Sequence, residues 1–229
     1  MLRLHAFHFR ALAVTGLCWG TGSLVAAQTT DSAPRGDHDH AVRGGGVLPA
    51  GWSGRPDGEG DLKSVKFVVM EPGYHLTLGP ATILYREQDR ANGPFHTLAT
   101  FHQMKKLEHA EGYGLFFGGE SLTAGDQRYI YFLVRDDGKY LIKRRDGENI
   151  TEITKGWTAS PAIKKGDAKG RAKNLLEIDA KRDPAKVSFK VNGTTVHTAD
   201  AKSMRTKGTV GLRVNHNLDL HIEGFAVHQ

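Results

Sequence analysis

From Leu62 to the C-terminus the chain is a series of short apolar runs separated by turn residues. The runs are "KSVKFVVM", "YHLTL", "ATILYR", "FHTLATFHQ", "YGLFF", "RYIYFLVRD", "KYLIKRR", "NLLEIDAKR", "KVSFKVN", "TVGLRVN" and "LHIEGFAV". Each is rich in Val, Ile, Leu, Phe and Tyr, the residues that suit a pleated surface. No stretch keeps a 3.6-residue period for three turns, so no long helix is expected. Asp137-Gly138 and Asn192-Gly193 stand between such runs and predict tight hairpins.

Several runs alternate strictly. Leu176, Ile178 and Ala180 oppose Glu177, Asp179 and Lys181; Val187, Phe189 and Val191 oppose Lys186, Ser188 and Lys190. Val210, Leu212 and Val214 oppose Gly211, Arg213 and Asn215. One dry and one wet face per strand is the pattern of an antiparallel sheet packed on one side. In the last run Leu218, Leu220 and Ile222 hold one parity and Phe225 and Val227 the other, which predicts a bulge near Gly224. Many short strands of this kind predict an all-β fold, an antiparallel two-sheet β-sandwich.

The first 50 residues break the pattern. Arg3 and Arg10 precede an apolar run, Ala11 to Ala27, that ends Val25-Ala26-Ala27 before Gln28. Basic start, short apolar centre and small-residue exit predict a secretory signal peptide over 1–27, with an exported, periplasmic or extracellular product. A buried N-terminal helix is the alternative. Residues 28–50, with Gly44-Gly45-Gly46, have no hydrophobic period and are expected to form a flexible linker ahead of a single domain over 51–229. The Asp37-His38-Asp39-His40 tetrad holds metal-ligand residue types, but a solvated tail explains it as well.

Composition narrows the chemistry. The only cysteine, Cys18, lies in the signal segment, so the mature chain has no disulfide and no thiol nucleophile. Leu17 stands before it where a lipid-attachment site takes a small residue. Losing residues 1–27 removes two arginines and no acid, taking the formal charge from +6 to +4. Lys and Arg are scattered among Asp and Glu, so no basic face for nucleic acid is expected. No stretch is long and apolar enough for a membrane span. A Gly-rich phosphate loop, a Gly-x-Ser-x-Gly elbow and a zinc-spaced Cys pair are all missing from the sequence. The sequons at Asn149 and Asn192 carry little weight, since the second is explained by its turn.

The order of motifs in "NLLEIDAKRDPAKVSFKVNGTTVHTADAKSMRTKGTVGLRVNHNLDLHIEGFAV" resembles the concanavalin A-like lectin/glucanase superfamily. It looks closest to laminin-G-like sandwiches and to the bacterial 3-keto-disaccharide hydrolase-like domain. "GWSGRPD" and "YGLFFGG" suit the same class. The resemblance implies a jelly roll of two curved sheets, often with a glycan on the concave face. In family 16 glucanases of this superfamily the catalytic strand reads Glu-x-Asp-x-x-Glu, and its two glutamates serve as nucleophile and acid/base. Glu177 and Asp179 match the first two places, but Arg182 holds the third and cannot act as a general acid in water. Catalytic residues are therefore left unassigned, and a solvated strand face is the plainer reading.

Other residues suit binding. Tyr129, Tyr131, Leu133 and Arg135 share a face opposite Ile130, Phe132 and Val134. Tyrosine rings beside an arginine fork offer stacking surfaces and donors for a sugar; cross-strand aromatic pairing is the alternative. Arg144 joins this set as a further cation. "RVNHNLDLH" gathers Arg213, Asn215 and His216 at a strand end, as a ligand rim or as a hairpin turn. His96 and His102 lie roughly 20 Å apart along one strand face and cannot share a metal. Asp57, Glu59 and Asp61 alternate in a Gly-rich loop; Asp57 and Asp61 are candidates for a structural calcium, as sandwiches of the resembled superfamily often carry, and no other cofactor is expected. The leading expectation is a lectin-like protein whose partner is a glycan or a glycan-bearing surface. A glycoside hydrolase of the 3-keto-disaccharide hydrolase-like type and a structural or adhesion module binding protein are the alternatives.

Overall fold

The computed structural model of the chain describes residues 39–229. The expected signal peptide over 1–27 and residues 28–38 of the expected linker, with Asp37 and His38 of the Asp-His tetrad, lie outside the described residues. Fifteen strands run in chain order: β1 (Trp52–Pro56), β2 (Val65–Val69), β3 (Gly73–Leu78), β4 (Thr82–Asn92), β5 (His96–Gln103), β6 (Tyr113–Glu120), β7 (Arg128–Arg135) and β8 (Lys139–Asp146). Then follow β9 (Asn149–Glu152), β10 (Thr158–Ala159), β11 (Ala172–Asp179), β12 (Lys186–Val191), β13 (Thr194–Asp200), β14 (Lys207–Val214) and β15 (Asp219–His228). Two single-turn 3-10 helices, Leu62–Ser64 and Ala201–Ser203, are the helical elements among the described residues.

The strands form two antiparallel sheets. One runs β1-β4-β14-β6-β7-β8-β10, with β9 on β8; the other runs β13-β12-β11-β5-β15-β3-β2. The expected sandwich is the observed fold. Its core lies between the sheets and is made by the alternation read from the sequence. Val210, Leu212 and Val214 of β14, Ile130, Phe132 and Val134 of β7, and Leu176 and Ile178 of β11 are fully buried there. Phe189 of β12 packs edge-on to Phe132 across the sheets, with ring centroids 5.4 Å apart.

The turns also form as expected. Asn192 and Gly193 both adopt positive φ, 51° and 81°, which a two-residue hairpin between β12 and β13 requires. The register of β15 against β5 shifts between Glu223 and Ala226, with Gly224 at φ 63°. That bulge reconciles the two parities of the last strand.

Residues 39–50, expected as linker, lie against the sandwich. The Gly46 N–H donates to the Val65 carbonyl at 3.1 Å, and the His40 N–H donates to Asn217 Oδ1 at 2.7 Å.

Candidate functional site

The face of the eight-stranded sheet turned away from the core carries the aromatic and arginine residues singled out from the sequence. Tyr129, Tyr131 and Leu133 of β7, Ile83 and Tyr85 of β4, Phe116 of β6 and Leu122 form a second apolar cluster, with Trp157 packed against it. Phe116 lies over Gly211 of β14, where a Cβ would stand 2.6 Å from the ring. Glycine there lets the aromatic ring cover the strand.

This face was expected to be wet, and it is not. Tyr129 is fully buried and Tyr131 is 7% exposed. The cause is the β6–β7 loop, which folds its Leu122 onto the rings. Arg55 of β1 holds that loop: its Nη1 donates to the Ala124 carbonyl at 2.7 Å and to the Leu122 carbonyl at 3.3 Å. Tyr131 is thus a packing residue of a second, smaller core, and burial pushes its phenol up to about 12. It remains a neutral hydrogen-bond donor at physiological pH.

At the middle of the face stands Arg213, 6% exposed. Its Nη2 donates to Asp57 Oδ2 at 2.6 Å, and its guanidinium carbon lies 5.7 Å from the Tyr131 ring centroid. Arg145 of β8 approaches the other oxygen of Asp57 at 3.4 Å. Burial pushes the Asp57 carboxyl up, but Arg213, then Arg145 and His216, outweigh it and hold the group below its usual value. Burial works against the Arg213 charge as well; Tyr129 and Asp57 outweigh it, so the guanidinium stays charged. Arg213 Nε and Nη1 and the Tyr129 hydroxyl find no hydrogen-bond partner among the described residues.

The exposed rim is charged and mixed. Arg135 grips Asp137 with two hydrogen bonds, 2.7 and 2.8 Å, and its guanidinium lies 4.4 Å from the Trp157 ring centroid. Lys143 pairs with Glu152 at 3.1 Å. A half-buried indole beside an arginine is the stacking arrangement sought at Tyr131, moved one strand end away. Trp157 sits outside any alternating run, so no strand pattern marked it.

The remaining expected site residues scatter. Arg144 has the opposite parity: it stands beside Ile130, whose side chain points into the core, and its guanidinium reaches the Ser203 carbonyl. It does not join Tyr131 and Arg213. The Asn215 N–H donates to the Gly112 carbonyl at 2.8 Å, just past the end of β14. His216 Nδ1 meets Asp39 Oδ1 at 2.6 Å at the same end of the sheet. The two calcium candidates have other partners: Asp57 holds the two arginines, and Asp61 caps the 3-10 helix at 62–64 by accepting from the Lys63 N–H at 2.9 Å. No group of three or more His, Cys, Asp or Glu is placed to hold a metal ion among the described residues.

Glu177 and Asp179 lie on the other sheet, facing out. They border a hollow of about 340 Å³ with His96, Lys181, Arg182 and Lys190. His96 Nε2 is 3.1 Å from Glu177 Oε2. Asp179 closes the turn after β11: its Oδ1 accepts from the Lys181 and Arg182 N–H groups at 3.1 and 3.0 Å, and its Oδ2 accepts from Lys190 Nζ at 2.9 Å. Burial opposes its charge, but the Lys190 bond and the two N–H groups outweigh it and bring the carboxyl down to about 2. Such a group has a structural task and stays ionised.

No protein-family model matches the chain, and no curated protein matches it. Among solved structures it is similar to the carbohydrate-binding module CBM66 from Bacillus subtilis, at 12% identity and a TM-score of 0.56, covering 83% of this chain and 100% of that one. It is also similar to a Bacillus subtilis protein of unknown function with a galectin-like fold, at 13% identity and a TM-score of 0.56, covering 78% of this chain and 89% of that one. At such identities the likeness is one of fold. The shared fold is a two-sheet jelly-roll sandwich, the fold that the resemblance of the C-terminal motifs implied.

Proposed function

We propose that this is an exported carbohydrate-binding protein that holds a glycan on the outer face of its eight-stranded sheet without cleaving it. The observation that carries the reading is the composition of that face. A sandwich needs only a polar outer surface there. This one presents the half-buried Trp157 indole, stacked with Arg135, above a buried aromatic layer packed around Arg213 and Asp57. An indole plane beside a fixed arginine fork matches the apolar C–H patches and hydroxyls of sugars. The fold shared with a carbohydrate-binding module agrees with this reading. Binding is favoured over cleavage because Asp179 is committed to a turn and Arg182 stands where a second carboxyl would be needed.

The test is a glycan array followed by calorimetry. Trp157→Ala should weaken binding of an array-positive oligosaccharide by about 1–3 kcal/mol, as truncating an aromatic anchor does. An unchanged affinity would remove the rim from the site. Export has its own readout: the protein recovered from the periplasm or medium should begin at Gln28, by mass spectrometry, and recovery there with Met1 intact would contradict it.

A further inference from the structure

The eight-stranded sheet departs from regular pairing at one level, on both sides of β14. Between Thr209 and Gly211, β14 passes a single residue while β4 passes Arg86 to Asp89. At the same level β6 passes Phe117 and Gly118. Gly118 sits at φ 65° with its Cα against the Arg205 carbonyl, where a Cβ would stand 2.3 Å from that oxygen. The two bulges therefore flank Thr209 from opposite sides.

Neither bulge is slack. The one in β4 is locked by Arg86, which donates from Nε to Asp89 Oδ2 at 2.5 Å and from Nη2 to Asp89 Oδ1 at 3.1 Å. The Arg86 guanidinium also lies 5.1 Å from the Trp52 ring centroid and 5.7 Å from that of Phe225. Bulges next to binding sites re-aim side chains, and a bulge this well held is a built feature.

What they aim is a polar cavity of about 220 Å³ lined by Tyr85, Glu87, Arg90, Glu120, Thr123 and Thr209, among others. Glu87 comes from the β4 bulge, and Glu120 follows the β6 bulge. No side-chain hydrogen bond or ion pair occupies Glu87, Glu120 or the Arg90 guanidinium among the described residues, although Arg128 stands opposite Glu120 across the strands and the Arg55 charge acts on Tyr85. Tyr85 is buried at the base of the cavity. Burial, then the charge of Glu87, hold its phenol above the ordinary value, so it keeps its proton.

We infer that this cavity is the subsite for one uncharged sugar ring, with Glu87 and Glu120 accepting from ring hydroxyls and Arg90 donating to one. The inference rests on the carbohydrate reading above and adds the place and the ligand class. The volume falls below the range of drug-sized pockets, so it fits a single ring and not a chain. The chemistry fits hydroxyls: carboxylates accept from O–H groups in short, strong bonds. A uronate or phosphorylated sugar would set a second anion against Glu87 and Glu120. Longer glycans would continue from here across the face toward Trp157.

The experiment uses the full chain and a panel of methyl glycosides of glucose, galactose, mannose, fructose and glucuronate. Binding is read by saturation-transfer NMR and calorimetry. At least one neutral glycoside should bind and the glucuronate should not. The Glu87→Ala/Glu120→Ala double variant should weaken that binding about a hundredfold, roughly tenfold for each charged hydrogen bond lost. Both side chains are exposed, so its melting temperature should match the wild type. Equal binding by wild type and double variant, or binding of glucuronate alone, would overturn the subsite. So would array-positive oligosaccharides that the double variant still binds while Trp157→Ala loses them, and in that case the carbohydrate reading stands. An array with no positive glycan at all would sink both.

Discussion

Tyr131→Ala is expected to lower the folding free energy by about 3–4 kcal/mol, in line with other buried aromatic truncations. The ring is 7% exposed and has neighbours on each side. Tyr129 lies 5.7 Å away by ring centroids, and the Arg213 guanidinium carbon lies 5.7 Å from its own centroid. Removing it opens a cavity beside a buried charge, and the surrounding strands cannot collapse to fill it. Urea unfolding with an unchanged slope would report the loss as a lower midpoint. A change under about 1 kcal/mol would mean that the ring stands in solvent. The same variant cannot serve as a clean probe of binding, because it disturbs the floor of the site; Trp157 and the two glutamates can.

Asp57→Ala should cost nearly as much, about 3 kcal/mol, by leaving the buried Arg213 guanidinium without its carboxylate. The lower end of the range for broken buried pairs applies because Asp57 is about a quarter exposed. The acid limb of the stability curve gives an independent check. The Asp57 carboxyl is held below its unfolded value, so the folded protein releases this proton more readily than the unfolded chain does. Its contribution is therefore fully present above the ordinary carboxylate value of about 3.9, and it is lost as the pH falls through the lower folded value. Wild type should lose this increment in acid, whereas Asp57→Ala should show a shallower decline over the same window. Parallel curves for the two proteins would show that Asp57 carries no such linkage.

Much of the fold was legible because its strands have one dry face. The parity of β11, β12 and β14 is as read, and so are the Asn192-Gly193 hairpin and the bulge at Gly224. The candidate site was harder because the alternation rule assumes that the second face meets water. It fails at β7. The run Tyr129 to Val134 is apolar throughout, which is how a strand covered on both sides reads. "YGLFF" carries the same sign, with Leu115 and Phe117 toward the main core and Phe116 toward the other side. Those continuous runs were the available signal that something covers the outer face. The cover itself, Leu122 held by Arg55, depends on a contact between residues far apart in sequence and leaves no local pattern. The role of Asp57 is of the same kind, since its partners Arg145 and Arg213 come from two other strands. The bulge-borne pair Glu87 and Glu120 was invisible for a further reason. Irregular pairing breaks the period that strand reading relies on, and one strand alone does not show what its neighbour does.

A glycan seated on the outer face of the eight-stranded sheet would perturb the residues of that face and leave the other sheet alone. The most direct measurement is a backbone and indole chemical-shift titration of the isotope-labelled full chain with an array-positive glycan. The shifted signals should fall on β4, β6, β7 and β14, around Glu87 and Glu120, and on the Trp157 indole. Shifts gathered instead around His96 and Glu177 on the seven-stranded sheet would contradict it.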